Sequence, residues 1–324
     1  MTINLNPHGR YPRTSICRGI PWHAEAAMFR ADRNAEIAAR RKRIARVADL
    51  LACPTCGTGI KVTDHNCHCP ACSADYPVRD GRIYFVEPQS AGDEFDDIKS
   101  RLRTIIGRHY RTVVDIVAPD FPVRRRRELR QAFDVTRQIV IDCGSGSQRI
   151  DPNVITLDFS DYAAVDIVCD ICARLPFRDG SLDGATSWGV IEHLAAPDSL
   201  VSELARCIKW GGKTVHMVPF LYHFHSSPHD YHRYTNQGLA VLFRDFRVLE
   251  TRNVSGPVSY FLLGFVEFGS IVLSFGNDRV KSGVYLLLCA LTFPVKILDW
   301  PFINRKAFEG MAPCLLVVAE KDRA

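Results

Sequence analysis

From residue 138 onward, short apolar runs alternate with stretches of helical composition. "QIVID" (138–142), "VITLD" (154–158), "VDIVCD" (165–170) and "TVHMV" (214–218) are apolar and end at turns or acids. That alternation predicts a parallel α/β sheet with helices between the strands. Two further strand candidates lie at 246–253 and 313–321. Between them, 258–276 and 283–300 read as strongly apolar helices, interrupted by Glu267 and Lys296. Upstream, residues 23–49 carry Ala, Arg and Glu at helical composition and predict a basic helix. Residues 92–134 read as helices broken at "APDFP", and residues 1–22, with three prolines, as irregular chain. Between the two helical zones, 50–85 is rich in Cys and turn residues and short of apolar runs. The expected organisation is a basic helical arm (1–49), a cysteine-rich module (50–88), a helical linker (89–135) and an α/β domain (136–324). An apolar helical insertion (255–310) interrupts the last.

Composition narrows the class. The chain of 324 residues is 47% apolar and 24% charged, a soluble globular balance long enough for two domains. The net charge of +5 is unevenly placed. Residues 1–50 hold ten Lys/Arg against four Asp/Glu, and "VRRRRELR" (123–130) holds five Arg against one Glu. Such runs suit phosphate, RNA or an anionic membrane surface, or simply a solvated helix face. The twelve cysteines do not read as a secreted disulfide framework in a chain of this length. The N-terminus shows no apolar signal segment, and no run of 18 or more uninterrupted apolar residues predicts a conventional span. The expected location is cytoplasmic, with peripheral contact at the inner face of the membrane through 258–300.

Cys53-x-x-Cys56 and Cys69-x-x-Cys72 are two knuckles separated by twelve residues. Such pairs on a β-hairpin present four thiolates tetrahedrally to zinc, and Gly57 permits the first tight turn. Cys67, His65 and His68 are competing donors nearby. A closed four-thiolate site has no open coordination position, so its role would be structural. "LLACPTCG" with "CPACSADYPVRDGR" resembles the Trm112-type zinc ribbon, which accompanies or activates methyltransferases.

The run "QIVIDCGSGS" is a strand ending in Asp142-x-Gly144-x-Gly146, where glycines let the backbone approach a ligand. Asp158 ends the second strand, where a carboxylate can hold a ribose diol, and Asp170 ends the third. A dinucleotide oxidoreductase would want a third glycine and a full crossover helix, and "SQRIDPN" leaves room for about one turn. The order resembles class I S-adenosylmethionine-dependent methyltransferases, of the type 11 kind. "LPFRDGSLDGATSWGVIEHL" resembles their fourth strand and the helix behind it. The resemblance implies a seven-stranded Rossmann-like sheet ending in two antiparallel strands. It implies that Asp142, Gly144, Ser145 and Gly146 cradle the methionine part of the cofactor. Asp158 would hold the ribose, Asp170 the adenine amine, Ile171 would flank the adenine, and Trp188 would sit at the fourth strand end.

The fifth strand runs straight into "HFHSSPHDYH", which places four histidines over the acceptor position. Pro228, His229, Asp230, Tyr231, Arg233, Tyr234 and Thr235 resemble a pattern in bacterial methyltransferases of polysaccharide clusters, and His225 fits it. His225 or His229, with Asp230, is the candidate general base for a hydroxyl acceptor. A backbone-bonding loop histidine and a second metal site are the other readings of this cluster. The expected function is methyl transfer from S-adenosylmethionine to an oxygen of a glycan or lipid-linked saccharide. An RNA methyltransferase gripping RNA through the ribbon and arginines is the alternative, and a non-catalytic scaffold is another. The apolar insertion reads equally as extra core, homodimer helices or an interfacial hairpin.

Overall fold

The structure, a computed structural model, describes residues 22–89, 110–225 and 229–322. The irregular start, the first part of the helical linker (90–109) and Pro228 lie outside the described residues. Helix α1 (Trp22–Val47) opens the described chain and fills the predicted basic helix. The cysteine-rich segment forms four short strands, β1 (Lys61–Val62), β2 (Asn66–His68), β3 (Asp75–Arg79) and β4 (Arg82–Tyr84). Helices α2 (Tyr110–Val117) and α3 (Arg125–Ala132) precede β5 (Val140–Cys143), β6 (Ile155–Asp158), β7 (Ile167–Val168) and β8 (Leu182–Trp188). Then come α4 (Pro197–Cys207), β9 (Ile208–Pro219), α5 (Asn236–Leu242) and β10 (Arg247–Asn253). Helices α6 (Pro257–Ser274) and α7 (Asp278–Thr292) precede the last strand, β11 (Cys314–Glu320).

The strands form one sheet in the order β1-β2-β3-β4-β7-β6-β5-β8-β9-β11-β10. Strands β7, β6, β5, β8 and β9 are parallel neighbours, and β11 enters antiparallel between β9 and β10. The expectation of a seven-stranded sheet is therefore corrected to eleven. The cause is β4, which pairs in parallel with β7 through Ile83 and Tyr84 opposite Ile167 and Val168. A bare parallel edge is a liability, and a small module lacks a core of its own. Their union answers both: Cys53, Cys67, Cys69 and Ile83 share one apolar cluster with Ile141, Leu157 and Ile167.

Helix α1 is held by ion pairs turned inward. Arg43 donates to the fully buried Asp166 at 3.0 to 3.2 Å, and Arg149 donates to the same carboxylate at 2.7 and 2.8 Å. Arg40 donates to the carbonyls of Asp80 and Ala163, tying the helix to the cysteine-rich segment and to the α/β domain. Arg126 and Arg130 flank the buried Asp151. Arg40 and Arg43 are thus internal ties, while Arg41, Lys42, Arg124, Arg126, Arg127 and Arg130 remain exposed.

The loop between β5 and β6 contains no helix. Arg149 stands there instead, donating to the carbonyls of Val154 and Ala164 as well as to Asp166. The chain crosses between two parallel strands around a guanidinium.

The apolar insertion is a helical hairpin. Both interrupting charges are satisfied: Glu267 pairs with Lys281 inside the hairpin at 2.8 Å, and Lys296 donates to the Ala118 carbonyl, just after α2, at 2.6 Å. Asp299, fully buried, accepts from the amides of Val258 and Ser259 and so caps the start of α6 from the far end of the insertion. Pro257–Ser274 and Asp278–Asp299 are long and apolar enough to cross a membrane by length and composition, which goes beyond the expectation that no segment qualifies. Only 33% of the first and 11% of the second is buried against the protein.

Candidate functional site

Four of the cofactor candidates, Asp142, Gly144, Ser145 and Gly146, sit where β5 ends. Asp142 is buried and accepts from the Thr186 hydroxyl at 2.7 Å. Burial pushes its carboxyl up to about 7, against that bond and the charges of Arg125 and Arg149. Gly144 has φ +68°, and a Cβ there would stand 2.6 Å from Val190 Cγ1, so only glycine fits. Gly146 has φ +57°, and a Cβ there would meet nothing within 4 Å. The loop therefore has open space on one side and a packed wall on the other.

Asp158 ends β6 and is buried, which raises its carboxyl against hydrogen bonds from the amides of Ser160, Gly146 and Phe159. The Gly146 amide donates to its Oδ2 at 2.8 Å, so the second strand's acid and the glycine loop are joined directly. Asp170 is exposed and accepts from the Cys172 amide, with Ile171 buried beside it. Trp188, at the end of β8, is 7% exposed.

Two buried polar atoms in this cradle have no partner among the described residues: Ser145 Oγ and Trp188 Nε1. Such atoms are costly unless a ligand or water reaches them. An open glycine turn with an orphaned hydroxyl and indole N–H fits a cofactor with polar groups at both ends.

The histidine loop is stitched to the exit of β8. The amides of Tyr231 and His232 donate to the Glu192 carbonyl at 2.7 and 3.3 Å. Arg233 grips both oxygens of Asp230 at 2.5 and 2.6 Å and donates to the carbonyls of Tyr222 and His223. Asp230 in turn accepts from the His225 amide at 2.8 Å. Burial would raise Asp230, but Arg233 and that amide hold it below the usual carboxylate range. Asp230 therefore shapes the loop.

Of the four histidines, only His225 reaches an acid across the site among the described residues. Its Nε2 lies 3.7 Å from Glu192 Oε1, and its ring meets His193 edge-on with centroids 5.0 Å apart. Burial works to lower its pKa, but Glu192, the His223 carbonyl and Asp230 outweigh that and raise it. His229 is exposed and contributes its backbone carbonyl, which accepts from His193 Nδ1. His223 contributes its carbonyl to Arg233, and His232 stacks near Tyr231 and Tyr234.

Glu192 and His193 were not singled out from the sequence. "GVIEHL" reads as part of the helical stretch behind the fourth strand. The available signal was position: an acid and a histidine directly after a parallel strand's carboxyl end lie where ligands bind. A Cβ on Gly189 would stand 3.3 Å from Glu192 Oε1, which shows how tightly the strand exit wraps this acid.

The four cysteines converge as the spacing predicted. Cys53 and Cys72 sulfurs lie 3.6 Å apart, and Cys56 and Cys69 sulfurs 3.4 Å. All four lie within 4.8 Å of one another. Four sulfurs bonded to one ion at about 2.3 Å in a tetrahedron stand roughly 3.8 Å apart, so little movement is needed. Burial opposes ionisation of Cys53, but the Tyr76 hydroxyl and the backbone amides of Cys56 and Thr55 draw its thiol down to about 6. Cys67 is outside the cluster, buried in the shared core, where desolvation pushes its thiol up to about 12. His68 pairs with Asp75.

Residues 142–216, from Asp142 to His216, match the family model described as a methyltransferase domain. With the strand order, this defines an α/β methyltransferase fold with a mixed sheet, and it supports S-adenosylmethionine-dependent methyl transfer as the reaction class. No curated protein matches the sequence. Among solved structures, the chain is similar to a complex of the Haloferax volcanii Trm112 methyltransferase activator and a putative methyltransferase. There the identity is 19%, covering 72% of this chain and 99% of that one, with a TM-score of 0.38. It is also similar to Haemonchus contortus phosphoethanolamine N-methyltransferase 2 in complex with S-adenosyl-L-methionine (16%, 68% and 60%, TM-score 0.40). A third is geranyl diphosphate C-methyltransferase from Streptomyces coelicolor A3(2), in complex with Mg2+, geranyl-S-thiolodiphosphate and S-adenosyl-L-homocysteine (13%, 73% and 85%, TM-score 0.40). Their acceptors differ, and at these identities and scores none carries weight for the acceptor or partner of this chain.

Proposed function

We propose that the chain is a methyltransferase that modifies an oxygen of a glycan or lipid-linked saccharide at a membrane surface. The observation that carries this reading is the pairing of an open cofactor cradle with an exposed apolar hairpin. When bound, S-adenosylmethionine would supply an electrophilic methyl group. Ser145 and Trp188 would satisfy their orphaned polar atoms on it, Gly144 and Gly146 would let the backbone approach, and Asp158 would accept from the ribose. Asp170 and Ile171 would border the adenine. The acceptor hydroxyl would be activated at the Glu192–His225 pair, on a loop that Asp230 and Arg233 keep in shape. His229 would border the acceptor through its exposed ring.

The hairpin supports an amphipathic acceptor. Phe268, Leu287 and Trp300 are 69%, 58% and 77% exposed, with Phe261, Phe265, Ile271 and Leu291 also on its surface. Soluble monomers rarely expose a continuous apolar surface of this kind. The exposed cations Arg305 and Lys306, just beyond it, would face anionic headgroups. The four cysteines would hold a structural zinc ion, in a ribbon of the Trm112 type.

The test uses S-adenosylmethionine carrying a radioactive methyl group, a lysate of cells lacking this protein, and the purified enzyme. Label is partitioned between organic solvent, glycan, RNA and protein. Enzyme-dependent label in the organic or glycan fraction is expected. Label in RNA would replace this acceptor with a nucleic acid.

A further inference from the structure

Two imidazoles and a carboxylate converge where the chain leaves β8. Glu192 Oε1 lies 3.7 Å from His225 Nε2 and 3.9 Å from His193 Nε2. Those separations are too long for hydrogen bonds. They are near the spacing of donors that share one ion, roughly 3.0–3.5 Å for metal–ligand bonds of about 2.1 Å. One donor atom from each of the three residues fits within 4.8 Å of the others.

The opposite side of each ring is engaged. His193 Nδ1 meets the His229 carbonyl at 2.5 Å, and His225 Nδ1 meets the His223 carbonyl at 3.1 Å. A carbonyl only accepts, so each Nδ1 carries a proton, and in the neutral ring each Nε2 presents a lone pair. Metal-binding histidines are oriented in this way by their outer partners. Two Nε2 lone pairs aimed at a carboxylate oxygen are mutually repulsive unless a cation or proton lies between them.

Glu192 supplies an independent observation. It is 2% exposed, and its Oε2 has no partner among the described residues. A buried carboxylate oxygen without a donor is costly, and a cation removes that cost. The surrounding frame is rigid, since the loop is tied to the Glu192 carbonyl and braced by the Arg233–Asp230 fork.

We propose that Glu192, His193 and His225 bind a divalent transition-metal cation, at a site distinct from the four cysteines. Two imidazoles among three donors favour Mn2+, Fe2+ or Zn2+ over Mg2+ or Ca2+, which prefer oxygen ligands. Three protein ligands leave coordination positions open, and the half-exposed His225 turns them toward solvent and the acceptor. An acceptor hydroxyl taking such a position would lose its proton to water more readily. That consequence rests on the methyltransferase reading, whereas the binding site does not.

The test titrates full-length protein carrying one zinc ion per chain, the equivalent that four thiolates take first, with Mn2+ and reads the free ion by electron paramagnetic resonance. S-adenosylmethionine binding is followed on the same samples by calorimetry. Wild-type protein is expected to take up one Mn2+, and Glu192→Gln and His225→Asn are each expected to weaken it at least about tenfold. Glu192→Gln keeps the shape of the side chain, so it decides the matter if His225→Asn fails to fold. Cofactor binding without Mn2+ uptake by wild-type protein would overturn the site and leave the methyltransferase standing. Mn2+ uptake unchanged in both variants would also overturn it. Mn2+ uptake lost in the variants, with no cofactor bound by any sample, would keep the site and remove the methyltransferase reading.

Discussion

Arg43 and Asp166 are 123 residues apart in sequence and form a buried ion pair at 3.0 Å. Arg149 completes it from the other side, and the Thr156 amide donates to the same carboxylate at 3.2 Å. Removing one partner of a buried pair leaves an uncompensated charge. Asp166→Ala is therefore expected to destabilise the protein by roughly 3–5 kcal/mol. Urea unfolding would measure it. A loss below about 1 kcal/mol, the scale of an exposed pair, would show that the network is solvated.

Metal removal is expected to reach beyond the ribbon. Cys53 and Cys69 share the apolar core of the sheet, and β4 is hydrogen-bonded to β7. Chelation of zinc, or Cys56→Ser, is expected to lower the melting temperature of the whole chain and to weaken cofactor binding. Elemental analysis before and after chelation, with calorimetry, checks both. Cofactor affinity untouched by full metal loss would mean that the ribbon folds and unfolds on its own.

The glycine loop makes a sharper case. Gly144→Ala introduces a Cβ against Val190 at a positive φ, so it should disturb β8 as well as the cradle. Gly146→Ala meets open space and suffers only from its φ of +57°. The first is expected to lower the melting temperature more than the second. Both are expected to weaken S-adenosylmethionine binding by about tenfold or more, close to 1.4 kcal/mol. Equal stability of the two variants would contradict the packing around Val190.

His216 predicts a pH dependence of stability. It is buried on β9, with Nδ1 2.6 Å from the Ser187 hydroxyl, and burial draws its pKa from 6.5 down to about 3. The unfolded chain protonates this ring below about 6.5, while the folded chain keeps it neutral. Stability is therefore complete above pH 6.5 and is lost as pH falls toward 3, at up to about 1.4 kcal/mol per pH unit from this group. His216→Gln is expected to flatten the stability profile between pH 4 and 6.5. An unchanged slope would place the acid sensitivity elsewhere.

The hairpin is expected to bind anionic vesicles. Phe265→Glu with Leu287→Glu should reduce co-sedimentation with phosphatidylserine vesicles by about tenfold, with no change in melting temperature, because both side chains are exposed. A change in oligomeric state in place of vesicle binding would assign the hairpin to a second copy of the chain.

Much of this was legible in the sequence, for physical reasons. The strands at Val140, Ile155, Ile167 and Thr214 are apolar runs with turn residues at their ends, and period and punctuation are local signals. The Cys-x-x-Cys spacing is local too, and all four sulfurs met. The count of strands was not legible, because the pairing of β4 with β7 joins segments about eighty residues apart and leaves no periodic trace. Arg40 and Arg43 belong to a basic run that reads as a phosphate-, RNA- or membrane-facing surface or a solvated helix face, since their acid, Asp166, lies in an apolar run that shows no sign of a partner. In the histidine loop, among the described residues, only His225 of the four imidazoles faces an acid, and that acid sits in a stretch that reads as ordinary helix.

The connection from β5 to β6 spans eleven residues, 144–154. A parallel crossover usually takes about 10–12 residues or more, so this one is short, and only the eight-residue step from β6 to β7 (159–166) is shorter. Pinned by Arg149, by the Gly146 amide on Asp158 and by the buried Asp151, the connection has no slack. Deletions there should be intolerable, while insertions would only restore a length that other crossovers already have. The history open to this segment is one of growth.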